Sequence, residues 1–232
     1  MDGVRIERRG SASWLTIDNP DKNALYPDLV AGLLEGLHAA DEDPDARAVV
    51  LTGTGSVFCG GVDVERLGEG DPAEFATMLV ELFKTLPALG VPVIAAVNGD
   101  ALMSGFSLVC ASDIAVAVED ARLGTIEASL GLWPMVAQVP VLHTLAHHHA
   151  LENILTGVPF AARRAYEIGA VNQVVGAGQL QSAVDDWVTK ATKSEVLARG
   201  RRGAYRFRSM PYAEALDAAL GEFADLFAGG NR

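Results

Sequence analysis

The chain has 232 residues, half of them hydrophobic and 21% charged, the make-up of a folded protein with a sizeable core and not of a disordered one. Its net charge of −12 argues against a general nucleic-acid surface, which needs a basic patch, but leaves room for a small anionic ligand held by local groups. The two cysteines, Cys59 and Cys110, make no disulfide framework and read as reduced thiols of a cytoplasmic protein; the start is not that of a signal peptide, and no apolar run approaches the ~18 residues of a membrane span.

Residues 4–8 and 13–17 read as two strands, and the cluster 18–23 as a turn. Pro27 opens a helix in which Leu29, Leu33, Leu34 and Leu37 keep helical spacing to about Asp41. Residues 48–52 form a continuous apolar run, the pattern of a strand covered on both faces. A glycine-rich stretch over 53–70 precedes an amphipathic helix over 72–86. The apolar run 93–97 then ends at Asn98-Gly99, a short apolar helix covers 104–111, and a further run, 114–118, leads to Ala121-Arg122-Leu123 and the lone Glu127. Pro134 is expected to begin a helix through Leu145, followed by helices to Thr156 and over 161–168, a short strand over 171–175, and helices over 180–191, 195–207 and 212–227. Apolar strand, small-residue turn and helix recur without a solenoid repeat, which predicts stacked β-β-α units of the α/β class. The expected division is a core over 1–160 and a helical region over 161–232.

Two turns carry the chemistry. Read alone, 93–127 is a buried strand, a tight connection and another strand, and glycine pairs are common turn punctuation. Yet Gly60-Gly61-Val62 and Ser104-Gly105 are turns of the same kind, in which glycine lets the main chain approach a ligand and a helix start aims free N–H groups outward. Two such groups, from Val62 and Ser104, could hold one developing oxyanion, helped by the dipole of the helix opening at Ser104.

The segments LTGTGSVFCGGVD, AAVNGDALMSGFSL and ARLGTIEASLGLWP, in this order, resemble the crotonase superfamily of enoyl-CoA hydratases and isomerases, and the early NPDKNAL is similar to that family's Asn-Pro…Asn-Ala-Leu turn. The resemblance spans residues 4–227. It implies a crotonase-like spiral of β-β-α units with a helical C-terminal trimerisation region, a homotrimer or dimer of trimers, and an acyl-CoA thioester as substrate. No separate cofactor is implied, since CoA is part of the substrate, and no metal. By motif position Val62 and Ser104 supply the two N–H groups beside Gly61 and Gly105, with serine where the family usually has glycine. Lys22 and Arg66 fall in turns where the family places the CoA nucleotide, with Ala24 next to them as a substrate-binding candidate; Trp133, Met78 and Leu79 could line an acyl pocket, although apolar side chains at helical spacing are more often core. Hydratases carry two catalytic glutamates. The second is present as Glu127, whereas the first falls on Ser107, which is no base at neutral pH. Met135-Val136-Ala137-Gln138 likewise replaces the hydratases' Gly-x-Gly-Gly run. The family's isomerases resemble this chain in keeping only the later glutamate, so double-bond isomerisation through Glu127 is the first expectation. A one-glutamate hydratase with its water on Ser107, and a non-catalytic acyl-CoA binder, are the alternatives. Family members continue past the point matching 228–230 with a helix over the CoA, so a site left open or completed by a neighbouring subunit is also expected.

Other residues read more plainly. A glutamate after a Gly-Thr turn is usually solvated, but Leu123, Ile126, Leu130, Leu132 and Trp133 could wall Glu127 and raise its pKa. His147, His148 and His149 point about 100° apart on a helix and cannot converge on one ion. Cys59 reads as a buried thiol, not a nucleophile, and Asp63 and Asp113 as local hydrogen-bonding groups. Arg199, Arg201, Arg202, Arg206 and Arg208 read as a solvated or subunit-facing helix.

Overall fold

The alternating start becomes an antiparallel pair, β1 (Gly3–Arg9) and β2 (Ala12–Asp18), in register from Gly3 opposite Asp18 to Arg9 opposite Ala12. The computed structural model describes residues 3–20, 22–67, 71–194 and 196–228, without the side chains of 65, 67, 199 and 226–228. Expectations for 68–70, for a helix start at Glu195, for the Arg199 side chain and for 229–232 lie outside the described residues.

Each continuous apolar run becomes a strand of one sheet and passes through a tight turn into a short strand of another. β3 (Ala48–Gly53) leads to β4 (Val57–Cys59), β5 (Val93–Val97) to β6 (Asp100–Leu102), and β7 (Ile114–Val118) to β8 (Arg122–Gly124). Two later strands, β9 (Phe160–Ala161) and β10 (Gln173–Val175), complete the sheets. The larger sheet has the order β1-β2-β3-β5-β7-β10, parallel from β2 onward; the smaller has the order β4-β6-β8-β9, parallel except for β9. First strands thus lie side by side in one layer and second strands in the other, so the β-β-α units advance as a spiral.

Strand alternation divides the core between two faces. Leu15, Ile17, Val49, Leu51, Val93, Ala95 and Val97 pack inward with α1 (Pro27–Glu42), α3 (Pro72–Ala88) and α4 (Ser104–Ala111). Between α1 and α3 runs the single turn α2 (Val64–Leu67). Trp14, Val50, Ile94, Ala96 and Val116 face the other way. Farther along come α5 (Gln138–Thr144), α6 (His147–Thr156), α7 (Ala162–Glu167) and α8 (Leu180–Ala191), and Val184 and Val188 of α8 seal that outer face. The last helices are α9 (Leu197–Arg208) and α10 (Tyr212–Ala228).

Three expectations need correction. The helix expected from Pro134 begins at Gln138, because Met135 N–H bonds Trp133 C=O and Gln138 N–H bonds Pro134 C=O, which makes turns of the intervening residues. The strand expected from Val171 begins at Gln173, since Asn172 exchanges bonds with Ala115 through its N–H and its side-chain oxygen. The basic run is not uniformly solvated: Arg201 is only 8% exposed. It pairs with Asp113 and donates to the carbonyls of Leu86, Pro87 and Leu89 at the end of α3. A guanidinium with five donors can close a helix end in this way without leaving a charge unmatched.

Candidate active site

The two glycine turns lie against each other. Turn 60–63 is pinned by the segment that follows the early Asn-Pro turn: Gly60 N–H donates to Lys22 C=O, Leu25 N–H to Gly61 C=O, and Asp63 N–H to Leu25 C=O, at 2.6–2.8 Å. That pattern consumes the groups on either side of Val62 and leaves its own N–H without an acceptor among the described residues. Gly61 has φ +100°, a conformation glycine supplies freely, and a Cβ there would lie 2.4 Å from the Cβ of Met103. A Cβ on Gly105 would lie 2.1 Å from the carbonyl oxygen of Cys59. Only glycine permits either approach.

Met103 is itself unusual, with φ 54° and ψ −127° at the start of α4. Its N–H is held by Gly124 C=O at 3.0 Å, and its C=O accepts from Phe106 and Ser107, so the strained residue is fixed from both sides. Ser104, buried, then begins α4 with an N–H that has no acceptor among the described residues. Asn23 and Asn98 brace the same region: Asn23 donates to Thr54 and Val57 C=O, while Asn98 accepts from Gly53 N–H and donates to Gly55 C=O. The sequence shows both asparagines as turn residues and gives no sign of these cross-links.

Glu127 opens a 3-10 turn (Glu127–Leu130) and is 6% exposed, so the solvated reading is wrong. Its Oε2 is buried with no hydrogen-bond partner among the described residues. Burial pushes the carboxyl above the ordinary range, opposed by the N–H groups of Glu127 and Ile126. The expected wall needs correction: Leu123 is buried, but Leu130, Leu132 and Trp133 are 60, 55 and 46% exposed in the single chain and cannot supply that burial. The turn that carries it lies against α6.

Ser107, fully buried, donates its hydroxyl to Ala137 C=O at 2.7 Å. Lys22 is exposed, with its carbonyl committed to Gly60, and Ala24 is buried with its carbonyl accepting from Asn19 at 2.7 Å. Arg66 stacks on the Tyr26 ring at 4.2 Å and pairs with Asp63 at 3.6 Å. Asp63 caps locally by accepting Arg66 N–H. Burial raises the Cys59 thiol to about 12, so it is no nucleophile at neutral pH. His147 and His148 sit on an exposed helix face, their rings edge-on at 5.8 Å.

Among the described residues, the abutting turns thus carry two main-chain N–H groups without an acceptor, and Glu127 a carboxyl oxygen without a partner. The sequence profile described as Enoyl-CoA hydratase/isomerase matches residues 7–208. A putative enoyl-CoA hydratase of Thermus thermophilus is 33% identical over 183 residues, 76% of this chain and 72% of that one. An enoyl-CoA hydratase of Mycobacterium tuberculosis is 31% identical over 182 residues, 75% of this chain and 68% of that one. Among solved structures, an enoyl-CoA hydratase of Mycobacterium smegmatis superposes with a TM-score of 0.93 at 27% identity, covering 98% of this chain and 91% of that one.

Proposed function

The chain belongs to the enoyl-CoA hydratase/isomerase family, and we propose that within it the chain shifts the double bond of a 3-enoyl-CoA thioester through Glu127. The carboxylate takes a proton from the carbon next to the thioester carbonyl, and the C–H electrons move into the carbonyl to give a dienolate. The N–H groups of Val62 and Ser104 donate to the enolate oxygen, and the protonated Glu127 returns the proton two carbons further along, leaving a 2-enoyl thioester. Preorganised donors of this kind are often the largest catalytic term. Gly61 and Gly105 shape the turns, Lys22, Ala24 and Arg66 flank the CoA, and Trp133 borders the acyl group. CoA arrives as part of the substrate, so the reaction draws on no separate cofactor.

The observation that carries this reading is a buried carboxylate, Glu127, with an oxygen that has no partner among the described residues, while the Ser107 proton is already committed to Ala137 C=O. Hydration divides its work between two carboxylates; a proton shift needs one. The names of the relatives favour a second reading, hydration of a 2-enoyl thioester by the same carboxylate. Incubation with 3-enoyl- and 2-enoyl-CoA, with products identified by mass spectrometry, decides between them. The first reading expects conversion of 3-enoyl to 2-enoyl thioester with no 3-hydroxyacyl product; accumulation of 3-hydroxyacyl-CoA selects the second, and binding without turnover overturns both.

The reading extends to a cytoplasmic homotrimer or dimer of trimers. It is supported by the exposed row Leu216, Leu220 and Phe223 along α10, 54, 68 and 59% exposed in the single chain. Among the described residues no helix is long and apolar enough to cross a membrane. Light scattering of the purified protein tests the assembly, and a monomer at micromolar concentration overturns it.

A further inference from the structure

We propose that Asn153 is the positioning residue for Glu127: its amide, on α6, clamps the main chain at Thr125 so that the carboxylate two residues later stays turned into the protein. The inference rests on the reading of Glu127 as the base. Asn153 is fully buried on a helix face it shares with Ala150 and Ile154. A polar amide on such a face is costly unless its hydrogen-bonding capacity is met. Every capacity is met, and three of the four bonds go to one residue. The side-chain oxygen accepts from Thr125 N–H and from the Thr125 hydroxyl, both at 2.8 Å; the amide nitrogen donates to Thr125 C=O at 3.0 Å and to Val158 C=O at 2.9 Å. Both peptide planes flanking Thr125 are thereby fixed.

The same segment has no slack on either side. A Cβ on Gly124 would lie 2.6 Å from the Asn153 amide nitrogen, and one on Gly157, at the end of α6, would lie 2.4 Å from Ser129 N. The carboxyl of Glu127, by contrast, has no side-chain partner to hold it in place among the described residues, only the N–H groups of Glu127 and Ile126. Its placement is therefore set by the backbone, and Asn153 sets the backbone. Burial and those two N–H groups, not a neighbouring charge, govern its titration. The titratable groups of α6, His147, His148, His149 and Glu152, lie on the outer side of the helix, with His149 and Glu152 paired.

The test is Asn153→Ser, a neutral change that removes the clamp. Two quantities are read: kcat and KM with a 3-enoyl-CoA, and the titration midpoint of the Glu127 carboxyl without substrate, from the infrared difference against Glu127→Gln. We expect kcat to fall about ten- to a hundredfold, the loss that misplacement of a reacting group produces. KM should stay within about threefold, since ground-state binding is made elsewhere. The Glu127 midpoint should drop toward the ordinary carboxylate range as water enters. Should Asn153→Ser not fold, Thr125→Val removes one bond of the four and should move both readouts the same way by a smaller step. A variant with a lower melting temperature but unmoved kcat and midpoint makes Asn153 a purely structural residue and overturns the proposal. A wild type that turns over no enoyl thioester sinks the functional reading instead, and the substrate-free titration still decides for or against Asn153.

Discussion

At Glu127 stability and catalysis pull in opposite directions. Burial raises the carboxyl's pKa in the folded protein. Such a group contributes fully to stability below its unfolded pKa, and the contribution is lost as pH rises through the folded pKa, because the charged form is the one burial penalises. As pH rises the wild type therefore carries a cost of burial that a neutral side chain at this position escapes. Glu127→Gln should melt at a higher temperature than the wild type at pH 7, with the gap closing as pH falls below about 4, where both side chains are neutral. The same substitution should lower kcat by roughly a hundred- to ten-thousandfold while leaving acyl-CoA affinity nearly unchanged. Calorimetry across pH and single-turnover kinetics check the two halves. Ser107 offers a contrast. Ser107→Ala leaves Ala137 C=O without the hydroxyl it accepts from, which should cost about 1–3 kcal/mol of stability by denaturant titration. Isomerisation should persist within about threefold, because the hydroxyl adds no base; a collapse of kcat would return Ser107 to the mechanism as a water holder.

At the scale of elements, the turns do what neither strand nor helix could. Gly61 combines φ +100° with an approach that leaves 2.4 Å between a Cβ at that position and Met103. Gly61→Ala should therefore move turn 60–63 away from α4 and take the Val62 donor with it. The expected loss is about a hundred- to a thousandfold in kcat, the effect of removing one oxyanion donor, with the fold retained by circular dichroism. These turns were legible in the sequence because glycine is the residue such geometry demands. The runs that became β3, β5 and β7 were legible too, since strands covered on both faces read as unbroken apolar stretches. Their partners β4, β6 and β8 were not: each is three residues long, too short to show alternation, and each owes its existence to a neighbour supplied by a later unit. The burial of Glu127 was hidden for a like reason, because α6, which lies against its turn, and Asn153, which binds the chain at Thr125, lie a further 20 to 26 residues along, from His147 to Asn153. Nothing local to Asn153 distinguishes it from a solvated helix residue.

At the scale of the molecule, a cluster of polar groups ties α9 to the core. Arg201 reaches from α9 to Asp113 and to three carbonyls at the end of α3, at distances of 2.5 to 3.2 Å. Asp113 in turn accepts from Val93 N–H at 2.6 Å and from the Tyr205 hydroxyl at 2.8 Å, so one carboxylate ties the start of β5, the entry to β7 and α9 together. A buried pair of this kind adds little over an apolar contact, but removal of one partner strands the other. Arg201→Met should cost about 3–5 kcal/mol of stability on that account, where Tyr205→Phe, which removes a single bond, should cost about 1 kcal/mol. The consequence should also be local. With Arg201 gone, the polar hold of α9 on the end of α3 falls, among the described residues, to Arg202, which donates to Ala88 C=O and pairs with Asp41, and α10, which packs on α9, should loosen with it. Limited proteolysis should then cut first between α8 and α9, leaving a core that still carries Val62, Ser104 and Glu127. If the row Leu216, Leu220 and Phe223 joins subunits, the same substitution should lower the mass seen by light scattering. A cut elsewhere first, or an assembly and stability that Arg201→Met leaves unmoved, would show that apolar contacts and not this cluster hold the helical end in place.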